Sequence, residues 1–329
     1  MSTALEDYKL GDSINAITLA LLPVIFVIAL GWFAGYREYL KRQDAHVLAT
    51  FVVRFALPIA LFVGVLQATP KELENVPYFC AMAIGLMGIY FVALGVGLWI
   101  FKGSLREASL MALVSAFPDM AFFGVPVLQA VIGPEGLLAV VVGNLVTSIF
   151  MIPITMLFLE SGFAGSDANQ KLRFSAVFSR VAAAFLQPLV WLPILGAVLA
   201  LTGLHLPTVI RSSLDQIGKA AGGTGLFALG LMIYGLPLRL DWQITACVLL
   251  KNVAQPVLMA LTVIIFRLRW PLSAELILIG ALPSATAGAM IAERYEAFQR
   301  EGPTAILVST LLSILTVAVA IALVGSFPK

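Results

Sequence analysis

One acid, Asp119, stands directly after a proline in the middle of a long apolar stretch, in the segment SAFPDMAFFGVP. A charge at the centre of a bilayer costs roughly 3 kcal/mol or more unless it is paired, hydrated or neutralised. Pro118 removes one backbone donor and frees a carbonyl one turn earlier, so the helix can open here. We therefore expect Asp119 to face a cavity or a partner and to take up a proton or Na⁺. Capping of the second half of the helix is the alternative role.

A second proline, Pro283, lies 165 residues after Pro118, also in the middle of an apolar stretch. Ser284 and Thr286 follow it, and small polar side chains can satisfy backbone groups that a proline frees inside a membrane. If both helices unwind at their prolines, the breaks can cross and the half-helix N-termini point their positive dipole ends inward. This pattern predicts an anion-binding site at the crossing. A plain proline kink in each helix is the alternative.

Further polar residues inside the apolar stretches could complete such a site. Lys251, in VLLKNVAQP, could pair with the acid or attract a carboxylate, unless it extends to the membrane surface. Asn144 offers a donor and acceptors, and an interhelical hydrogen bond is its other possible role. Arg54 and Lys219 are again 165 residues apart. We expect both to face a vestibule, with pairing to Asp215 or another acid as the alternative.

The composition places these residues in a membrane protein. Of 329 residues, 60% are hydrophobic and 12% are charged, and the formal net charge is +2. Soluble domains carry about 25% charged residues, so this chain has too little charge to cover a soluble surface. A soluble enzyme, a disordered chain and a nucleic-acid binder are therefore excluded. No metal-ligand cluster or G-x-x-x-x-G-K-[ST] phosphate loop is present, and Cys80 and Cys247 imply no disulfide framework.

Ten apolar stretches are long enough to cross a bilayer, for which about 20 residues are needed. Their continuous rather than alternating pattern predicts helices and excludes outer-membrane strands. The predicted spans, numbered 1 to 10, are 14–35, 44–67, 77–101, 107–132, 137–159, 177–202, 208–235, 242–266, 273–293 and 303–326.

Proline spacing indicates an internal duplication, with chance spacing among 17 prolines as the alternative. Two pairs share a spacing of 165 residues, about half the chain: Pro23 with Pro188, and Pro118 with Pro283. Because five spans per copy is an odd number, the second copy must enter the membrane from the opposite face, as in carriers with inverted repeats. We expect a first five-helix repeat at 1–160, a cytoplasmic linker at 161–176 and a second repeat at 177–329. Lys and Arg are more numerous in the loops on the side of the linker, which places both termini outside.

Several segments resemble the auxin efflux carrier family, most closely its bacterial malonate-carrier-like branch. These are FALPIALF, SAFPDMAFFGVPVLQAVIGPEG, PLVWLPILGAVLALTGLHLP, KNVAQPVL and ILVSTLLSILTVAVA. The resemblance covers nearly the whole chain and implies two inverted five-helix repeats with broken crossing helices in spans 4 and 9, similar to bile-acid symporters and sodium/proton antiporters. It further implies a scaffold of spans 1, 2, 6 and 7, often dimeric. Spans 3–5 and 8–10 would form a transport domain that moves in an elevator-like step.

The resemblance also bears on individual residues and on the cargo. The family's crossover prolines correspond to Pro118 and Pro283 here. The polar residue after the first proline is usually Asn in the family, whereas this chain has Asp119. That departure favours a titratable, cation-linked site. Family members carry organic anions such as auxin or malonate.

We therefore expect an all-α polytopic protein of the bacterial inner membrane that transports a small organic carboxylate by alternating access, in symport with H⁺ or Na⁺. The expected substrate-binding residues are Pro118, Asp119, Asn144, Lys251, Pro283, Ser284 and Thr286, with Asp119 also coupling the ion and Arg54 and Lys219 in a vestibule. The expected partners are the bilayer and a second copy of the chain bound through the scaffold, with no cofactor, metal or nucleic acid. A membrane-embedded receptor or sensor without net transport is the main alternative. A channel is a further alternative, and an embedded enzyme would need a nucleophile with a base or a metal cluster, neither of which the sequence shows.

Overall fold

The computed structural model describes residues 22–23, 25–66, 75–161, 186–203, 206–234 and 241–325. These residues form helices, and a single isolated bridge pairs extended backbone among them. The helices are α1 (Ile25–Tyr36), α2 (Asp44–Val65), α3 (Val76–Ile100), α4 (Leu105–Ala116), α5 (Val125–Val131), α6 (Leu137–Glu160), α7 (Pro188–Thr202), α8 (Thr208–Ile233), α9 (Trp242–Ile265), α10 (Leu272–Ala281), α11 (Ala287–Arg294) and α12 (Glu301–Gly325).

Five of these helices, α2, α3, α6, α9 and α12, are long and apolar enough to cross a membrane, and α1, α7 and α10 are shorter apolar helices. The helix bounds lie within a few residues of the predicted spans wherever the chain is described. Spans 4 and 9 each consist of two helices, α4 with α5 and α10 with α11. The beginnings of spans 1 and 6, at 14–21 and 177–185, lie outside the described residues.

The helices pack in two groups. In the first group, α2 packs along α7 and α8. There α1 meets α8 at glycines, since a Cβ on Gly31 or Gly230 would lie 1.9 Å from a backbone oxygen of the other helix. In the second group, α3 packs on α4 and α9, α9 packs on α10, and α6 and α12 complete the group. The groups meet where α2 and α8 contact α11, and where α2 and α7 contact α6.

Four π turns in this structure each begin six residues before a proline. They are Val52–Ala56 before Pro58, Met120–Gly124 before Pro126, Thr147–Met151 before Pro153 and Leu250–Ala254 before Pro256. A proline inside a helix lacks an N–H, and its ring clashes with a carbonyl of the preceding turn, so a wider turn relieves both problems. The prolines thus open backbone groups inside the apolar helices.

The first helix of each broken span ends two residues before the mid-span proline. α4 ends at Ala116 and α10 at Ala281, and the residues that follow, Phe117 and Leu282, have extended ψ angles of 107° and 152°. A proline ring disfavours the helical conformation of the residue before it, so each helix ends there. Both segments are therefore unwound at the proline rather than only kinked.

Candidate functional site

The two unwound segments cross and pair through their backbones. The Asp119 N–H donates to the Pro283 carbonyl at 2.9 Å, and the Ala285 N–H donates to the Phe117 carbonyl at 2.9 Å. The residues between them form an isolated antiparallel bridge. The crossing therefore fixes Asp119 where four helix ends come together.

Side chains bond the carbonyl groups that are freed at the ends of α4 and α10. At the end of α4, the Ser284 hydroxyl donates to the Val114 carbonyl at 2.7 Å. The Gln255 amide donates to the Ala116 carbonyl, also at 2.7 Å. In α10, the Thr316 hydroxyl donates to the Ala281 carbonyl at 3.1 Å. Because an unsatisfied polar group in hydrocarbon costs several kcal/mol, these bonds stabilise the open helix ends.

Lys251 lies behind the crossing, with 0% of its side chain exposed. Its ammonium group donates to Gln255 Oε1 and, at 3.3 Å, to the Gly280 carbonyl. The C-terminal ends of α4 and α10 meet here, and the negative end of a helix dipole favours a cation. The Lys251 charge also interacts with that of Asp119. The structure thus places Lys251 among the supports of the crossing.

A cavity of about 420 Å³ lies between the two helix groups, against the crossing. α2 and α8 form one wall, and the crossing with α6 and the start of α11 forms the other. Five predicted residues line this crossover cavity: Pro118, Asp119, Asn144, Lys219 and Thr286. Small-molecule sites have volumes of about 300–1,000 Å³, so the cavity suits a small organic ligand.

The crossover cavity meets the positive ends of two half-helices. Met120 begins the π turn that leads into α5, Ala287 begins α11, and both residues line the cavity. Helix N-termini attract anions because their N–H groups lack helical partners and the dipole is positive there. Asp119, 4% exposed, stands beside them and would repel an anion when ionised. The arrangement therefore suits an anion that binds together with a cation.

Two glycines of the first group give room to polar side chains of the second. A Cβ on Gly64 would lie 3.2 Å from Asn144 Nδ2, and a Cβ on Gly225 would lie 3.0 Å from Thr286 Oγ1. Both distances are shorter than most real Cβ contacts. Glycine at these positions therefore permits the two groups to approach closely at the cavity.

The other predicted residues lie outside the lining of the crossover cavity, and Lys219 within it is paired with an acid. Pro283 and Ser284 belong to the crossing but not to the cavity lining. Lys219 forms an ion pair with Asp215, one turn earlier on α8, which is the alternative that the sequence left open. Arg54 lines a second cavity, so the two basic residues that are 165 positions apart face different cavities.

Sequence reasoning missed two residues. Gln255 forms hydrogen bonds with Lys251 and with the end of α4. The sequence indicates its contact with Lys251, because residues four apart lie on the same face of a helix. Glu275 is fully buried in the first turn of α10 and accepts a hydrogen bond from the Tyr78 hydroxyl. Because Glu275 lies near the end of a span rather than at its centre, the sequence pattern did not indicate it as a site residue. In the described part of the chain, no group of three or more His, Cys, Asp or Glu could hold a metal ion.

The chain is similar over most of its length to known transport proteins. Residues 16–321 match the family described as Membrane transport protein. The chain is 29% identical over 300 residues to the protein named Uncharacterized transporter YfdV of Escherichia coli (strain K12), which covers 90% of this chain and 94% of that protein. It is 25% identical over 317 residues to the protein named Putative malonate transporter of Rhizobium meliloti (strain 1021), which covers 92% and 93%.

The fold is similar to that of a solved antiporter. The sodium proton antiporter MjNhaP1 from Methanocaldococcus jannaschii superimposes with a TM-score of 0.58 and 15% sequence identity, covering 97% of this chain and 100% of that chain. At this identity the likeness concerns the fold alone.

Proposed function

Because this chain belongs to the membrane transport protein family, we propose that it is a secondary carrier that moves a small organic anion by alternating access. The membership confirms the resemblance to the auxin efflux carrier family, and the chain is a transporter and not an enzyme. Its apolar helices make it a membrane protein.

The observation that carries the proposal is the lining of the crossover cavity. Two half-helix N-termini, Asp119 and the Asn144 amide meet there in a space of about 420 Å³. The dipole ends attract a carboxylate, and the amide can donate a hydrogen bond to it. A relative is named Putative malonate transporter, so malonate is the first substrate to test.

Coupling follows from the charge of Asp119. An ionised Asp119 beside the helix N-termini opposes binding of an anion by like-charge repulsion. A proton or Na⁺ bound at Asp119 removes this repulsion, so the anion and the cation bind together and leave together. The proposed transport is therefore symport, with the Lys251 charge stabilising the ionised form when the site is empty.

The first helix group (spans 1, 2, 6 and 7) would be the scaffold, and the second group (spans 3–5 and 8–10) would move past it in an elevator step. The cavity between the groups and the glycines at their boundary support this division. Helix bounds support two inverted repeats, 1–160 and 177–329. α2 and α8 begin 164 residues apart, and α4 and α10 end 165 residues apart. The linker, 161–176, falls almost wholly outside the described residues.

The membrane placement completes the proposal. The bacterial relatives and the apolar helices support a bacterial inner-membrane protein. The Lys and Arg distribution supports both termini on the outer face. Large apolar side chains such as Phe26 on α1 and Trp191 on α7 are exposed, at 65% and 43%. These side chains would contact lipid and, in the proposed homodimer, a second copy of the scaffold.

The test is uptake of radiolabelled malonate and other carboxylates into proteoliposomes, with an imposed H⁺ or Na⁺ gradient. We expect saturable uptake by the native protein that one of the gradients accelerates. Asp119→Asn should still exchange internal for external anion but lose the acceleration, and Glu38→Gln, which removes a charge outside both cavities, should keep it. Absence of saturable uptake for every carboxylate would contradict the anion class, and acceleration that persists in Asp119→Asn would remove Asp119 from coupling.

A further inference from the structure

We propose that the second cavity, lined by Arg54, Arg106 and Arg294, is an anion-binding site that receives the carboxylate of the transported anion at the other end of its path. This arginine cavity also measures about 420 Å³. The inference rests on the proposed function and adds a second binding site to it.

The three arginines come from three separate helices that meet at one place. Arg54 lies in the π turn of α2, Arg106 in the first turn of α4, and Arg294 at the end of α11. Gln187 and Pro188, at the start of α7, close the cavity on the side of the first group. The cavity therefore lies between the same two helix groups as the crossover cavity.

The polar contacts around the arginines leave a net positive charge. Two acids line the cavity, so the three arginines give a balance of +1. One of these acids, Glu160, already accepts hydrogen bonds from the Tyr295 hydroxyl at 3.2 Å and from Gln187 Nε2 at 3.3 Å. Arg106 Nη2 donates to the Tyr295 carbonyl at 2.6 Å, which orients that guanidinium group. Within the described residues, no ion pair includes Arg54 or Arg294.

The first helix group contributes one basic residue to each cavity, and the two cavities differ in whether an acid pairs with that residue. Lys219, in the crossover cavity, pairs with Asp215 one turn earlier. The residue one turn before Arg54 is Thr50, which carries no charge. The crossover cavity therefore presents a neutral pair on the scaffold side, whereas the arginine cavity presents a guanidinium group. Positive walls raise the local concentration of an anion, so the arginine cavity favours capture of a carboxylate.

Both helix groups contribute residues to the crossover cavity and to the arginine cavity. In the second group, Arg106 of α4 lines the arginine cavity and Phe117, directly after α4, lines the crossover cavity, about 16 Å away at helical rise. On α11, Ala287 and Arg294 are about 10 Å apart by the same measure. On α2 of the first group, Val52 and Leu57 line the crossover cavity, and Val53 and Arg54 between them line the arginine cavity. Guanidinium groups can bind a carboxylate through two parallel hydrogen bonds, so each carboxylate of a dicarboxylate such as malonate is a suitable partner for one guanidinium group.

The test measures malonate uptake from each face separately, with right-side-out and inside-out membrane vesicles. We expect Arg54→Gln and Arg294→Gln to raise the half-saturating malonate concentration about tenfold from the face of the arginine cavity, the effect of losing one charge-assisted contact. From the opposite face the value should change less than about twofold. Arg54→Lys should recover part of the loss, because it keeps the charge without the paired geometry. Arg42→Gln removes an exposed arginine outside the cavity and should change neither value.

Two results would overturn the inference. Equal increases from both faces would show a general effect on the protein, and unchanged values in both glutamine variants, with native uptake intact, would show that the arginine cavity binds no substrate. The second result leaves the proposed function standing. Absence of carboxylate uptake by the native protein would instead overturn the proposed function together with this site.

Discussion

The open helix ends make Gln255 the most informative residue for stability. Its amide group donates to the Ala116 carbonyl at 2.7 Å, and its Oε1 accepts from the Lys251 ammonium group. Gln255→Leu keeps a similar volume but removes both bonds. A buried carbonyl without a donor costs about 1–3 kcal/mol, and a lost hydrogen bond to a charged group costs about 1.5–3 kcal/mol. The sum is about 2.5–6 kcal/mol, or a change of roughly 10² to 10⁴ in the unfolding equilibrium constant.

Equilibrium unfolding in mixed detergent micelles measures this change directly. The double variant Lys251→Met with Gln255→Leu should lose less than the sum of the single losses, because removing the buried charge removes the group that Gln255 neutralises. Gln129→Leu, at an exposed glutamine of α5, serves as the matched control and should not destabilise the protein. Native-like stability of Gln255→Leu would refute the reasoning, since it would mean that this side chain does not support the crossing.

Three further predictions follow from close contacts and buried pairs. Gly64→Ala should fold but weaken malonate affinity in a binding titration, because its Cβ would lie 3.2 Å from Asn144 Nδ2 at the cavity. Gly31→Ala should lower the unfolding free energy by more than about 2 kcal/mol, since overpacked sites cost about 1–3 kcal/mol and this Cβ would lie 1.9 Å from backbone of α8. Glu275→Leu should destabilise by about 1–3 kcal/mol in the same assay, because the buried Tyr78 hydroxyl loses its acceptor.

Matched substitutions separate these effects from general ones. A Cβ on Gly223 would meet nothing within 4 Å, so Gly223→Ala should leave both affinity and stability unchanged. Glu275→Gln keeps an acceptor for the hydroxyl and should be tolerated far better than the leucine variant. Native affinity in Gly64→Ala, native stability in Gly31→Ala, or equal losses in both Glu275 variants would each contradict the contact concerned.

Structural features that depend on steric contacts within a few residues, such as helix ends, could be predicted from the sequence. Pro118 and Pro283 disfavour a helical residue before them, so the positions at which α4 and α10 end follow from the sequence alone. The length of each apolar stretch likewise determined the approximate helix bounds. The π turns before four prolines follow the same local rule, whereas the π turn at Val96–Ile100 precedes no proline and has no such signal.

The orientation of each helix about its own axis, which decides where its polar residues face, could not be predicted. Packing between helices that are distant in the sequence determines it. Lys251 and Asn144 both lie in apolar spans, yet one faces the ends of α4 and α10 and the other faces the cavity. The spacing of Arg54 and Lys219 also left their location open. The proposed inverted repeat would place corresponding residues toward opposite faces, and the structure places these two in different cavities.

Proton and sodium uptake on ligand binding tests the central proposal most directly. Calorimetric titration of malonate into the solubilised protein, in buffers of different ionisation enthalpy and with or without Na⁺, counts the cations that bind with each anion. We predict that the native protein takes up one H⁺ or one Na⁺ per malonate, and that Asp119→Asn binds malonate with neither. Malonate binding by the native protein without any cation uptake, or uptake that persists in Asp119→Asn, would contradict a site in which the acid at the helix crossing binds the coupling ion.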